Sequence, residues 1–350
     1  MRISLTHALT AAAVLSLAAP AGAQHQVDVK RITEDAHRIV VRAMEHVRHA
    51  ADSAEQGEVE QVERVTRTLK IGANGQLDLA NVSGDIVVTG GGGDEIKLEA
   101  VKRGRGNTEA EAKNQLPLVT VEITERAGRA GVRTRYKEGE RHIHVSVDYT
   151  VTAPAGTRVI VRSVSGDVKV TGIKDELDAE SVSGDVTVVE AGQLARAKSV
   201  SGDVNIRGAA AESVLDASSV SGDVVVRGVK ARRVEVSSVS GGAELTDVTC
   251  ETATMKSVSG DVAFTGSLAK AGRYEFKSHS GDVRVTIPGD MGFELEASTF
   301  SGTINSDLPL TVGGGKGAAV SRRTIRGTFG DGSAMLNCTT FSGSVIIRKR

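Results

Sequence analysis

The stretch "SVSGDVVVRGVKARRVEVSSVSGGAEL" (residues 219–245) writes Ser-Gly followed by a short alternating apolar run twice within 27 residues. The dipeptide recurs along the chain, with its glycine at 84, 166, 184, 202, 222, 241, 260, 281, 302 and 343. From Gly166 to Gly302 the gaps are 18, 18, 20, 19, 19, 21 and 21, while the first interval is 82 and the last 41. A fixed period of this length marks a repeat architecture in which each copy is one small structural unit. The two long intervals read as about four and two periods, filled by degenerate copies.

Aligning the copies on the glycine shows what each unit is. Seven residues before it stand Val159, Leu177, Ala195, Leu215, Val234, Ala253, Tyr274, Leu295 and Leu336. Five before it stand Val161, Ala179, Ala197, Ala217, Val236, Met255, Phe276, Ala297 and Cys338. Two and four after it the pattern resumes with pairs such as Val168 and Val170, Val186 and Val188, Val204 and Ile206. A spacing of two is the strand period, so each period holds two short strands with one buried face, joined at the Ser-Gly turn. One unit cannot bury its valines alone. Stacking units as rungs about 4.8 Å apart pairs their strands and closes a continuous apolar column. The expected fold is therefore all-β, a parallel β-solenoid with about 20 residues per rung. A chain of antiparallel hairpins is the competing layout. Three residues before the glycine a small hydroxyl recurs, from Ser163 to Thr340, and reads as a ladder between rungs at the bend.

Composition suits such a core. Of 350 residues 39% are hydrophobic, but only 3% are aromatic and tryptophan is absent, so Val, Ile, Leu and Ala must fill the interior. Forty glycines against five prolines supply tight turns. A formal charge of −1 gives no bulk attraction to nucleic acid, which is not an expected partner.

Residues 1–23 read as a signal peptide. Arg2 provides the positive start, residues 8–19 are apolar, and Ala21-Gly22-Ala23 offers a small-x-small cleavage pattern between Ala23 and Gln24. No cysteine follows the cleavage point, and the mature chain has no apolar stretch long enough for a transmembrane helix. The protein is expected to be exported, to the periplasm or the cell surface. Residues 24–58 carry an amphipathic helix at 34–56, capped by Thr33 and striped by Ala36, Val40, Ala43, Val47, Ala50 and Ala54. It is read as a cap on the first rung or as a partner-binding element, a homo-oligomer through this helix being one form of the latter. Residues 59–350 form the solenoid, with a short helical insertion near 107–116 marked by Thr108, Glu111 and Pro117.

Candidate chemistry is sparse. An aspartate follows the turn glycine at Asp85, Asp167, Asp185, Asp203, Asp223, Asp261 and Asp282. One reading is turn chemistry, with glycine supplying a positive φ and aspartate accepting backbone N–H groups. The other is a cation column through Asp167, Asp185, Asp203 and Asp223; Gly242, Thr303 and Ser344 interrupt it. His142 and His144 read as sharing one strand face without a third ligand, and His46 and His49 as one helical turn apart. The glycine runs 90–93 and 313–315 lack the ending and helix of a phosphate loop. Cys250 and Cys338, counted along the repeat, stand four or five rungs apart, too far for a disulfide. No catalytic residue, cofactor or metal is assigned.

The recurring "SVSGDV", the closing "TTFSGSVIIRKR" and the entry "LKIGANGQLDLANVSGDIVVTG" resemble the bacterial "putative adhesin" family of β-strand repeat proteins, whose function is unknown. The resemblance covers roughly residues 60–350 and implies an exported, solenoid-like β domain without catalytic residues. The reading that follows is a non-enzymatic envelope scaffold or adhesin-like binding surface, its partner an envelope protein or a glycan. An envelope-stress sensor using helix 34–56 is the alternative, and a polysaccharide-active β-helix enzyme the second.

Overall fold

The structure, a computed structural model, describes residues 59–140, 142–311 and 323–350. The signal segment, helix 34–56 with His46 and His49, and the 313–315 glycines lie outside the described residues. In each central copy a long strand, such as Glu176–Ser183, leads into the turn, and a short one, such as Val186–Val189, leaves it. Long strands join one 13-stranded sheet and short strands a second. The apolar faces of both turn inward. Val168, Val186, Val204 and Val224 lie in register in one sheet, Val159 and Leu177 in the other, and all are buried. Pairing between repeat copies is parallel throughout. The chain is a parallel β-solenoid.

The ends depart from chain order. A Cβ on Gly166 would stand 2.2 Å from the carbonyl oxygen of Gly84, so the first Ser-Gly copy lies directly against the second. The 82 residues between them are an excursion rather than four rungs. Strands Glu95–Gly106, Val119–Arg126, Arg129–Tyr136 and Val145–Pro154 stack outside the first copy, and the strand Val59–Lys70 ends the short sheet. At the other end, Ala334–Ser342 inserts between Arg273–Ser280 and Phe293–Ser301, and Val345–Lys349 follows it in the short sheet. The copy written last is therefore next to last in the stack. Among the described residues antiparallel pairs occur only in these end regions, where Val59–Lys70 meets Glu95–Gly106 and Phe293–Ser301 meets Thr324–Phe329. A helix, Glu109–Gln115, sits in the excursion; Thr108 Oγ1 accepts the Glu111 N–H at 3.2 Å.

Four sequence expectations change. The inward residue of the third copy is Leu194 rather than Ala195, because a bulge shifts the register between Leu177 and Asp178 against their partners. His142 and His144 precede the strand Val145–Pro154 and do not share a strand face; His142 has a φ of +68°. Cys250 and Cys338 are two rungs apart, not four or five, since Cys338 pairs with Phe276, which pairs with Met255 in the strand that begins just after Cys250. Both thiols are free and buried. The turn glycines, finally, are required mainly for close approach. Gly202, Gly222, Gly241 and Gly260 lie outside the left-handed region, yet a Cβ on each would meet the carbonyl oxygen of the glycine one rung earlier at 2.2–2.3 Å.

Candidate interaction surface

The bend between the sheets is built by three columns around that glycine. Inside it, the hydroxyl ladder joins rung to rung: Ser199 Oγ donates to the Gly184 carbonyl at 2.8 Å and Ser219 Oγ to Gly202 at 2.8 Å. The bond survives substitution by threonine, with Thr340 donating to Gly281 and Thr299 to Gly343, both at 2.8 Å. At the first copy Asn81 replaces the serine, its Nδ2 donating to Gly84 O at 2.8 Å and Val147 O at 2.7 Å. Ser163 Oγ, which would otherwise donate to Gly84, has no partner.

On the outer side stand the aspartates. Asp185 N–H donates to Asp167 Oδ1, Asp203 N–H to Asp185 and Asp223 N–H to Asp203, each at 2.8 Å. One oxygen of each carboxylate thus satisfies the backbone of the next rung. Gly242 N–H takes the Asp223 oxygen at 2.7 Å but returns none, so the ladder breaks below Asp261. There Arg284 bridges Asp261 and Asp282. Burial works against the charge of Asp261, but the bonds from Arg284 and from the Asp282 N–H outweigh it and hold the carboxyl below the usual carboxylate range. Among the described residues no group of three or more His, Cys, Asp or Glu is placed to hold a metal.

The third column was missed by the sequence reading. The residue two before the glycine points outward, opposite to the buried hydroxyl beside it. In stacking order the column runs Val82, Val164, Val182, Val200, Val220, Val239 and Val258, then His279, Phe341 and Phe300, none of them buried. Ten rungs at ~4.8 Å make a stripe about 43 Å long, apolar except at His279. Its end is aromatic. The Phe300 and Phe341 rings lie 4.6 Å apart and 3° from parallel, with His279 on the other face of Phe341 at 4.9 Å. The Arg323 guanidinium covers Phe300 at 5.9 Å. Phe300 is nonetheless 60% exposed and Phe341 47% exposed, through their edges. The signal was in the quoted stretch: the valine of "SVSGD" sits out of phase with the buried positions.

Beside the stripe, the outer face of the long sheet carries charges paired between rungs, as in Arg162–Glu180 at 3.5 Å and Arg196–Glu180 at 3.2 Å. A shallow polar depression of about 310 Å³, lined by Asp78, Glu122, Thr124, Gly131, Arg133 and Arg135, lies near the N-terminal end. It is open, and its Glu122 and Arg135 already pair at 2.9 Å.

The model of the Toastrack DUF4097 family matches residues 76–348, the span over which the glycine column runs. The chain belongs to this family. No function is established for Toastrack domains. Solved structures similar to this Toastrack chain include a "putative adhesin" from Bacteroides fragilis, 14% identical over 81% of this chain and 97% of that one, with a TM-score of 0.40. A "putative lipid binding protein" from Parabacteroides distasonis is 12% identical, over 82% and 97%, at 0.42. A "putative cell adhesion protein" from Clostridium sporogenes is 10% identical, over 83% and 100%, at 0.27. At such identities and scores these likenesses carry no argument about what this chain does. No curated protein matches the chain.

Proposed function

We propose that this Toastrack chain is a non-enzymatic, exported binding protein of the cell envelope, a stiff scaffold that contacts a protein partner along the bend stripe and its aromatic end. The observation that carries the reading is the stripe itself, one outward residue per rung over ten rungs, nine of them apolar. Contiguous exposed apolar surface on a folded chain marks an interaction site. The carboxylates beside it support a non-catalytic role. A working acid and base need surroundings that push their pKa values apart, whereas Asp167, Asp185 and Asp203 all make the same bond to the next rung. A protein partner is favoured over a glycan because Phe300 and Phe341 spend ring faces on each other and on Arg323 and His279, leaving no flat platform for a sugar ring. Export is proposed on the signal-like pattern of residues 1–23 alone.

The test compares the wild-type chain with Phe300→Ser/Phe341→Ser as bait in envelope extracts. Both rings are exposed, so the two proteins should melt alike. The wild type should retain a partner that the variant loses. Equal retention by both, or turnover of a polysaccharide in a lyase screen, would remove the reading.

A further inference from the structure

We propose that two copies of this chain associate edge to edge through Val59–Lys70, antiparallel about a two-fold axis at Val65. This strand ends the short sheet and pairs only with Glu95–Gly106 on its inner side. It is 12 residues long, and its second edge meets no strand among the described residues. An open edge of that length is a template for another strand, and proteins protect such edges with charge.

Glu60, Glu63, Arg64 and Lys70 already pair with Arg103, Lys102, Glu99 and Glu95 of the inner strand, so a second copy would extend these charge ladders outward rather than meet unpaired charges. The first half of the strand is acidic, with Glu60 and Glu63, and the second half basic, with Arg64, Arg67 and Lys70. A strand whose sign reverses midway is complementary to itself when turned end for end.

Geometry favours the register that makes the most opposite-charge pairs over the longest overlap. Residues that oppose each other in an antiparallel pair share a sheet face, so a two-fold pairing must join even numbers to even and odd to odd. Centring on Val65 sets Glu60 against Lys70 and Glu63 against Arg67 of the second copy. By symmetry that makes four opposite-charge pairs and no like-charge pair over residues 60–70. Moving the axis to Arg64 sets Arg64 against itself; moving it to Glu63 or Arg67 does the same to those residues. An axis at Thr66 pairs no opposite charges. Opposed charges of unlike sign stabilise a strand pair, and like charges destabilise it.

The backbone agrees. Lys70 N–H turns away from the neighbouring strand and donates to Glu125 Oε1 at 2.9 Å. By the two-residue alternation, the N–H groups of Glu60, Val62, Arg64, Thr66 and Thr68 face the same open side. In the Val65-centred register Val62 exchanges hydrogen bonds with Thr68 and Arg64 with Thr66, the Lys70 N–H staying with Glu125, and Val65 meets Val65 at a closely spaced pair that does not.

That close pair supplies the test. The chain from Gln24 should sediment as a dimer at tens of micromolar in low salt, weakening as salt screens the pairs. Val65→Cys should form an intermolecular disulfide on mild oxidation, since the close pair matches disulfide geometry. Thr68→Cys, which opposes Val62, should not. Cys250 and Cys338 are buried and add no background. Arg67→Glu/Lys70→Glu should raise the dimer dissociation constant at least tenfold. A monomer under these conditions overturns the proposal, as does cross-linking of Thr68→Cys equal to that of Val65→Cys. A dimer in which Val65→Cys stays reduced places the contact elsewhere on the chain and overturns it as well.

Discussion

Between one rung and the next there is no room for a methyl group at the turn. A Cβ on Gly222 would sit 2.2 Å from the Gly202 carbonyl oxygen, and the obstacle is backbone that cannot swing aside. Gly222→Ala should therefore cost ~1–3 kcal/mol or more, as forced overpacking does, read as a lower denaturation midpoint. At the next corner the demand is conformational. Gly172, Gly208 and Gly228 take φ of +75°, +65° and +62°, but Glu190 and Asp247 occupy the equivalent position at +55° and +51°. Left-handed backbone costs a non-glycine residue about 1–2 kcal/mol. Glu190→Gly should accordingly stabilise by about 1 kcal/mol, so the same residue type raises stability at one corner and is irreplaceable at the other. Burial pushes the Cys250 thiol up to about 12 and raises Cys338 as well. Since the thiolate is the reactive form, neither should react with a thiol reagent at pH 8 in the folded chain. Unfolding without reductant should release two thiols per chain.

The element that repeats is a bend with two ladders, and the break in its carboxylate ladder at Gly242 makes a sensitive probe. Gly242 leaves the Asp261 N–H without the carboxylate that every neighbouring aspartate supplies. A Cβ at 242 would be 3.5 Å from the Asp261 carbonyl oxygen, an ordinary contact. Gly242→Asn should complete the ladder and stabilise by about 1 kcal/mol, the net worth of a typical hydrogen bond. Gly242→Asp should gain less in low salt, because it adds repulsion of ~0.8 kcal/mol from each flanking carboxylate, with the gap closing as salt rises. The same site sets an acid limb. Because Asp261 is held below its usual pKa in the fold, its contribution is present above the unfolded pKa and lost as pH falls through the folded value. Chemical unfolding followed from pH 5 downward should show a shallower loss for Asp261→Asn than for the wild type.

At the scale of the molecule, the stack was legible wherever chain order and rung order coincide. Val168, Val186, Val204 and Val224 occupy identical surroundings, and identical surroundings produce identical residues at a fixed period. The period could not reveal Leu194, because a bulge that moves one residue inward leaves the spacing of the turns unchanged. Nor could it reveal the ends. Whether Val345 follows Ile304 or precedes it in the sheet depends on which strand its backbone pairs with, and both offer the same alternating pattern. The cysteine separation was misjudged for that reason. The outward stripe was readable but hidden by its own regularity, since valine at a solvent-facing position looks like core until the phase is counted.

The insertion of the last copy is the sharpest consequence of this stacking. Thr339 pairs with Lys277 on one side and Ser298 on the other, so Lys277 and Ser298 are two rungs apart although closer in sequence. With Cys250 and Cys338 replaced by alanine, oxidation of Lys277→Cys/Thr339→Cys should close an intramolecular disulfide. Lys277→Cys/Ser298→Cys, at about 9.6 Å for two rungs, should remain reduced. Closure of the second pair and not the first would mean that the copies stack in the order they are written, contradicting the arrangement described above.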